Sequence, residues 1–254
     1  MYTFDDLVGI IAKLRSPEGC PWDREQTFES LKKCLADEAQ EVFEAVDNKD
    51  MENLCEELGD VLLQVVFHAL MEQEAGRFDL DAVADGICKK LIFRHPHVFG
   101  EVSVSGTGEV LSNWEELKRK EKGQATNTDA LEAVARSLPA LWRAEKVQKK
   151  AKKAGFDWPD VSGALDKLSE ELEELKTAVA EGTNVEEELG DLLFSAVNVS
   201  RFVKVDTEEA LNGATDKFIG RFRKVEEEAA RQGRALEGMS LAELDKLWEH
   251  AKET

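Results

Sequence analysis

Two pairs of acidic residues in the second half of the chain have the spacing of a metal site. Glu171 and Glu174 are three residues apart, and so are Glu188 and Asp191 a short distance later. Residues at i and i+3 share a helix face, so two such helices packed together would direct four carboxylates at one point. Because clustered carboxylates are costly to bury without compensation, this pattern predicts a hard cation. For either pair alone, the alternative is a solvated helix face.

The acidic pattern has a counterpart in the first half of the chain. The sequence EELGDVL at 56–62 matches EELGDLL at 187–193, and an earlier acidic pair precedes each of them. Two matching blocks in the same order indicate an internal duplication, so we predict a second metal-type site. Its ligands would be Glu38, Glu41, Glu57 and Asp60.

A cationic pair and a Trp–Lys pair follow each acidic set. Lys217 and Arg221 lie one helical turn apart, so both could hold one anion, or each could form surface salt bridges. Trp248 offers a flat face to a nucleobase, or it anchors a terminal helix by packing. Carboxylates, cations and an aromatic face together describe a site for a Mg²⁺–nucleoside polyphosphate. The matching pairs are Lys90–Arg94 with Lys217–Arg221, and Trp114–Lys118 with Trp248–Lys252.

The candidate ligands are all oxygen donors, which suits Mg²⁺ or Mn²⁺ better than zinc. No histidine follows these glutamates at the Glu-x-x-His spacing of di-iron bundles. Both copies also carry a glycine inside the helix, Gly59 and Gly190. Since glycine costs a helix about 0.5–1 kcal/mol relative to alanine, each glycine predicts a close approach. The approaching group would be a ligand, another backbone or a neighbouring helix.

Composition favours helix throughout the 254 residues. Only 5 prolines and 1 tyrosine occur, while 42% of residues are hydrophobic and 34% are charged. The predicted fold is therefore all-α, with two tandem helical-bundle domains at 1–122 and 131–254 and a linker at 123–130. The predicted helices cover 3–15, 27–46, 50–76, 79–94, 114–120, 129–153, 163–181, 184–203, 207–232 and 241–252. Residues 16–23 and 100–112 are predicted as loops.

The net charge of −20 argues against binding nucleic acid through its backbone, which requires a basic surface. The four cysteines show no CxxC spacing, so neither a disulfide framework nor a zinc site is expected. No apolar run is long enough for a signal peptide or membrane span. The sequence therefore predicts a cytoplasmic protein without a membrane partner.

Several motifs identify a family resemblance that covers essentially the whole chain. The sequence resembles the MazG family of nucleoside triphosphate pyrophosphohydrolases, in the all-α NTP pyrophosphatase superfamily. The motifs are CPWD at 20–23, ELGD at 57–60, RHPHVF at 94–99, RSLPAL at 136–141, GFDW at 155–158 and ELGD at 188–191.

The resemblance implies Mg²⁺-dependent cleavage of a nucleoside or deoxynucleoside triphosphate between the α and β phosphates, which gives the monophosphate and pyrophosphate. It also implies a homodimer whose C-terminal copy is active. The implied metal ligands are Glu171, Glu174, Glu188 and Asp191. The implied nucleotide contacts are Lys167, Glu187, Lys217, Arg221, Trp248 and Lys252.

A comparison of the two copies also favours the second one. The helix face that carries Glu188 continues through Asp191 and Ser195 to Asn198, a polar stripe that we predict contacts substrate. The corresponding face of the first copy ends in an apolar ring, Phe67. The position that matches Lys167 is Cys34, which removes a cation. We therefore expect the first copy to be weak or inactive.

No Ser, Cys or His is assigned as a nucleophile at the acidic and cationic pairs, so attack by water is predicted. Glu170 and Glu187 are candidates for the general base by adjacency alone. Narrower substrates remain open within this class: dUTP, phosphoribosyl-ATP or a guanosine tetraphosphate alarmone. The alternative outside enzymes is a helical scaffold or partner-binding module whose sites are relics.

Overall fold

The computed structural model describes residues 1–253, which form thirteen α-helices and one 3₁₀ turn without any β-strand. The all-α prediction is confirmed. The chain divides into two compact units, Met1–Lys118 and the part from Arg119 onward. This division falls four residues before the boundary predicted at residue 122. The assignment of 123–130 as a linker stays a prediction, and a helix begins within it at Asn127.

The helices of the first unit begin where polar side chains cap them. The Thr3 and Thr27 side chains form capping boxes, and Asp50 accepts from the first turn of its helix. The helices are α1 Phe4–Arg15, α2 Pro21–Glu25, α3 Phe28–Asp47, α4 Met51–Glu74, α5 Leu80–Arg94, α6 Pro96–Phe99 and α7 Thr107–Glu121; the last of these crosses the division between the units.

The second unit repeats this succession of long helices. They are α8 Asn127–Glu132, α9 Ala140–Lys153, α10 Val161–Glu181, α11 Val185–Val203, α12 Thr207–Arg231 and α13 Leu241–Glu253. The 3₁₀ turn Leu236–Gly238 precedes α13. Asp160 and Asp206 cap α10 and α12 through their side chains.

Three sequence predictions of local structure are wrong. The loop at 16–23 contains the start of α2, because Pro21 stands at the first helical turn, where its missing N–H is not needed. The loop at 100–112 ends earlier than expected, and α7 begins at Thr107. The single helix at 129–153 is two helices: α8 ends at Glu132, and α9 starts directly after Pro139, which disfavours helical backbone in the residue before it.

Each unit has its own apolar core. Ile11, Leu31 and Val66 are fully buried in the first unit, and Phe67 and Met71 join them. The second has a core between α12 and α13. None of the described helices has the length and apolar content needed to cross a membrane.

A short connection between α10 and α11 positions the candidate site. Gly182 ends α10 in the left-handed conformation, with φ of 71°, and Asn184 also has positive φ. Glycine adopts this conformation without the steric penalty of a side chain, so the chain reverses within three residues. The two helices therefore pack side by side, with their acidic ends adjacent. In the first unit, α3 and α4 form the corresponding pair.

Candidate metal centre

The paired helices α10 and α11 bring three predicted ligands together. One carboxylate oxygen each of Glu171, Glu174 and Glu188 lies within 4.8 Å of the others. Glu171 is only 4% exposed, Glu188 is half-buried and Glu174 is exposed. The cluster thus has a buried floor and an open side. Three carboxylates at this separation, with no sulfur or imidazole among them, are a donor set that fits a hard divalent cation.

The fourth predicted ligand, Asp191, is not within this group of three. It follows Glu188 by one turn of α11 and is exposed, as is Glu187. An open cleft of about 390 Å³ adjoins the cluster. Five of its nine lining residues are glutamates, so the entrance attracts cations. These glutamates are Glu170, Glu173, Glu174, Glu181 and Glu188.

A lysine ammonium offsets part of the negative charge of the cluster. The Lys167 ammonium lies 2.6 Å from Glu171 and 2.9 Å from Glu170. These bonds raise the pKa of Lys167 above its ordinary value, so it stays charged. A hydrogen bond with Glu171, with a smaller contribution from desolvation, raises the pKa of Glu174. The proximity of Glu171 thus favours the protonated form of Glu174, and a divalent cation would compete with that proton.

The polar stripe of α11 continues inward to buried groups. Ser195 and Asn198 are both buried. The side-chain oxygen of Asn198 accepts from Arg201 Nε at 3.0 Å and from Nη2 at 2.6 Å. Arg201 also donates to both carboxylate oxygens of Asp157, at 3.0 and 2.5 Å, which lowers the pKa of Asp157. Asn198 is thus held in place by an ion pair.

Sequence reasoning did not assign roles to Asp157, Arg201 or Gln148. Asp157 lies in the GFDW motif, and Arg201 follows Asn198 by three residues on the same helix. The i, i+3 spacing was a readable signal for the Asn198–Arg201 contact. No sequence signal joined Arg201 to Asp157, because 44 residues separate them.

The predicted nucleotide-contact residues Lys217, Arg221, Trp248 and Lys252 lie on α12 and α13, whereas the carboxylates lie on α10 and α11. Lys217 is exposed and Arg221 is half-buried. The Trp248 ring packs with the α12–α13 core, and its centroid is 5.1 Å from that of Phe218. Lys252 pairs with Glu249 at 2.5 Å. Their contacts with a nucleotide stay predictions.

The first copy builds a similar but differently charged cluster. Glu38, Glu41 and Glu57 also place oxygens within 4.8 Å of one another. Burial, followed by a hydrogen bond with Glu41, raises the pKa of Glu57. Burial and the nearby charge of Asp60 raise the pKa of Glu38. With Cys34 at the position of Lys167, the first cluster lacks the ammonium that balances the second.

The Trp–Lys pair of the first copy is engaged within its own unit. The Arg94 guanidinium lies 5.3 Å from the centre of the Trp114 ring, and the Lys118 ammonium lies 4.8 Å from it. Such cation–π contacts hold both cations against the aromatic ring. In the second copy, Trp248 instead meets another aromatic side chain, Phe218.

The interior glycines are not explained by packing within the chain. A Cβ added at Gly59 or Gly190 would meet nothing within 4 Å among the described residues. The alternative of a tight helix–helix contact within either unit is therefore wrong. A ligand or a second chain near these turns stays a prediction.

The fold and the paired clusters define a duplicated all-helical protein with two clusters of carboxylates. The MazG nucleotide pyrophosphohydrolase domain matches residues 26–99 and 161–226, and these two stretches contain both clusters. The chain belongs to this family.

Full-length relatives agree with the family assignment. Nucleoside triphosphate pyrophosphohydrolase/pyrophosphatase MazG of Thermotoga maritima is 49% identical over 98% of this chain and 95% of its own length. Nucleoside triphosphate pyrophosphohydrolase of Escherichia coli is 43% identical over 99% of this chain and 98% of its own. A crystal structure of a MazG-related protein from Thermotoga maritima is 34% identical, covers 45% of this chain and 98% of that one, and gives a TM-score of 0.39.

Proposed function

We propose that this protein hydrolyses nucleoside or deoxynucleoside triphosphates to the monophosphate and pyrophosphate, with Mg²⁺ at the second acidic cluster. The observation that carries the proposal is the convergence of Glu171, Glu174 and Glu188 beside Lys167, within a stretch that matches the MazG domain. A divalent cation would offset the charge of the three carboxylates, and it would let a triphosphate approach this acidic surface. The names of both full-length relatives are consistent with this activity.

Each side chain has a distinct role in this proposal. Glu171, Glu174 and Glu188 would hold the ion, with Asp191 one turn away on the same helix. When bound, Mg²⁺ supplies charge neutralisation, polarises phosphate oxygens and lowers the pKa of water; Mn²⁺ could replace it. Water adds to the α phosphorus, the bond from this phosphorus to the α–β bridging oxygen breaks, and pyrophosphate leaves with that oxygen.

Cations complete the proposed site. Lys167 remains charged between Glu170 and Glu171, so it can donate to a phosphate oxygen while it orients the buried carboxylate. Lys217 and Arg221 are proposed to neutralise the departing pyrophosphate, since cations stabilise the charge that develops in phosphoryl transfer. Lys217 and Arg221 both belong to α12, which also carries an exposed apolar surface.

That surface supports a proposed homodimer. Phe218 and Ile219 of α12 are half exposed, and so are Leu91 and Ile92, which occupy the equivalent positions of α5. Large apolar side chains at matching positions of both copies are the pattern of an interface. A second chain that covers them would also lie next to Lys217 and Arg221. We therefore propose that the working site includes a dimer interface.

A nucleotide panel tests the proposed function directly. The full chain is incubated with each common nucleoside and deoxynucleoside triphosphate, with Mg²⁺ or with EDTA, and released pyrophosphate and monophosphate are measured. We expect both products in equal amounts and only with the metal. Release of inorganic phosphate and diphosphate would contradict α–β cleavage. Absence of turnover with Mg²⁺ and with Mn²⁺ would favour a scaffold role.

A further inference from the structure

Helix α9 is strongly basic, although the chain as a whole has a net charge of −20. Its 14 residues include six cations and one acidic residue, Glu145. The cations are Arg143, Lys146, Lys149, Lys150, Lys152 and Lys153. Basic residues in the last turn of a helix interact favourably with its dipole, but Arg143 stands in the first turn, where a cation is unfavourable. Helix stability therefore does not explain the whole basic run.

Three of these cations form a stripe without partners. Arg143, Lys146 and Lys150 follow one another at steps of three and four residues, so they share one face of α9. Among the residues that the structure describes, none forms an ion pair or a hydrogen bond with their charged groups. Lys149, on a neighbouring face, instead pairs with Glu145 at 2.6 Å. The basic stripe is thus available to an anionic group from outside the chain.

An apolar cavity of about 480 Å³ adjoins the basic stripe. Val147 lines the cavity, and it follows Arg143 by four residues and precedes Lys150 by three, so the cavity wall and the stripe lie on adjoining faces of α9. The buried Gln148 amide donates to the main-chain oxygen of Phe194 at 2.8 Å, which joins α9 to α11 across the wall. The stripe and the cavity therefore form one continuous surface.

The interior of the cavity suits an apolar group. Phe156, Trp158 and Phe194 contribute aromatic rings to its lining. The two charged residues of the wall, Asp157 and Arg201, bind each other, so neither requires a partner from outside. Phe156 is 84% exposed, so it can cover a side chain that enters the cavity.

The stripe and the cavity together favour an acidic amphipathic helix over other anions. The cations are about 4.5 and 6 Å apart along the axis of α9, which matches carboxylates about 5.4 Å apart on successive turns of a second helix. An apolar side chain on the adjoining face of that helix would reach the cavity. A nucleic acid is disfavoured by the net charge of −20 and would leave the apolar cavity unfilled. A membrane surface is bound by a projecting apolar face, whereas this one is concave.

We propose that the basic stripe and the adjoining cavity form a docking surface for an acidic amphipathic helix of a partner protein. Carboxylates of that helix pair with Arg143, Lys146 and Lys150, and a large apolar side chain beside them enters the cavity. Complementary charge guides the helix to the surface, and the buried anchor supplies most of the affinity. None of the proposed metal ligands belongs to α9 or lines this cavity, so the inference does not depend on the proposed function.

A designed peptide tests the docking surface. It is a short helix with three glutamates at steps of four and three residues and a tryptophan on the adjoining face, labelled for fluorescence anisotropy. One control peptide carries the glutamates on the opposite face, and another replaces them with lysine. We expect the first peptide to bind the native chain at least about tenfold more tightly than either control, and to bind less tightly as salt is added.

Charge reversal locates the binding on α9. Lys146→Glu/Lys150→Glu should weaken the acidic peptide by at least about tenfold and make the lysine peptide the better ligand. Lys89→Glu/Lys176→Glu makes the same change of net charge at exposed lysines of α5 and α10, and it should keep both affinities within about twofold. Circular dichroism and pyrophosphate release should be unchanged in both double variants.

The contribution of the cavity is measured separately. Phe156→Ala should weaken the acidic peptide by about tenfold, because it removes an aromatic contact from the anchor. Phe99→Ala, at an exposed phenylalanine of the first unit, should have no effect. A peptide with alanine in place of its tryptophan should bind weakly and should no longer respond to Phe156→Ala.

Several outcomes would overturn the docking surface and leave the proposed function intact. Absence of binding, or equal affinity of the native chain for the three peptides, would do so directly. Tighter binding of an oligouridylate or of phosphatidylglycerol vesicles, lost in Lys146→Glu/Lys150→Glu, would assign the stripe to a nucleic acid or a membrane. A fall in the native mass in that variant, measured by light scattering, would assign it to a second copy of the chain.

Discussion

Lys167 and Glu171 face each other one turn apart on α10, with the ammonium nitrogen 2.6 Å from the carboxylate. Glu171 is the buried member of the acidic cluster, so this contact supplies the cluster with its nearest positive charge. The contact also distinguishes the two copies, since the first has Cys34 at this position. The carboxylate of Glu171 can bind a metal ion, and the ammonium of Lys167 can bind a phosphate oxygen.

Replacement of Lys167 by Met should separate these two roles. The cluster becomes more negative, so we expect Mg²⁺ to bind several-fold more tightly, while the KM for triphosphate rises about tenfold. Calorimetry with Mg²⁺ alone and steady-state kinetics measure the two effects. Lys176→Met is the matched control, because Lys176 pairs with exposed Glu173 on the same helix. Parallel weakening of both ligands would argue against the dual role.

Glu188→Gln should abolish Mg²⁺-dependent pyrophosphate release. The amide keeps the shape of the side chain but removes a ligand charge from a cluster of three, so we expect at least about a 100-fold loss in kcat/KM. Circular dichroism should report an unchanged helical fold. Glu186→Gln, two residues earlier on the exposed surface of α11, should retain full activity. Retained turnover in Glu188→Gln would remove Glu188 from the metal site.

The raised pKa of Glu174 predicts how pH acts on the metal-free protein. Its pKa is raised above the ordinary value of 4.5, so the folded state holds this proton more tightly than the unfolded state. The contribution to stability is complete below pH 4.5 and is lost as the pH rises through the raised pKa. Mg²⁺ should displace the proton and reverse that loss.

Thermal unfolding across this pH range, with and without Mg²⁺, measures the effect of Glu174. In Glu174→Gln the amide can donate to Glu171 at every pH, so the metal-free Tm should depend less on pH. Proton release upon Mg²⁺ binding is checked by calorimetry in buffers of different ionisation enthalpy. Equal pH dependence in the native chain and in Glu174→Gln would contradict a raised pKa of Glu174.

The Asp157–Arg201 pair should contribute strongly to the stability of the second unit. Both side chains are nearly buried, so Asp157→Asn leaves a guanidinium without its charge partner and should cost about 3 kcal/mol. Because Arg201 lowers the pKa of Asp157, the native contribution is present above the ordinary value of 3.8 and disappears as the pH falls through the lowered pKa. Denaturant titrations at several pH values measure this.

Asp85→Asn is the control for the buried pair. Asp85 contacts Lys89 on an exposed face, where such a pair is worth less than about 1 kcal/mol. A similar loss of stability in the two variants would contradict the prediction that the buried pair contributes more than the exposed one.

The proposed homodimer predicts a change of mass upon disruption of α12. Phe218→Glu introduces a charge into an apolar surface, so the chain should become monomeric at micromolar concentration. Light scattering after gel filtration measures the mass. Leu241→Glu, on an exposed side chain outside that surface, should leave the dimer intact. A native chain that is already monomeric would contradict the proposal.

The sequence determined the helical fold and most of the acidic cluster, because both depend on local spacing. The helix starts predicted at residues 3 and 50 lie one residue before the observed starts, Phe4 and Met51. The spacing of Glu171 and Glu174 fixed their shared face, and the repeated pattern identified Glu188 as their partner on a second helix. Helical periodicity continued across Pro139, so the break between α8 and α9 was missed.

Only the tertiary structure decided which side chains meet across helices. An i, i+3 spacing fixes a direction on one helix, but it does not fix the distance to its neighbour, so Asp191 lies outside the group of three. The contacts of Arg201 with Asp157 and of Gln148 with Phe194 span 44 and 46 residues. Such contacts follow from the packing of α9 and of the GFDW segment against α11, which sequence spacing does not encode.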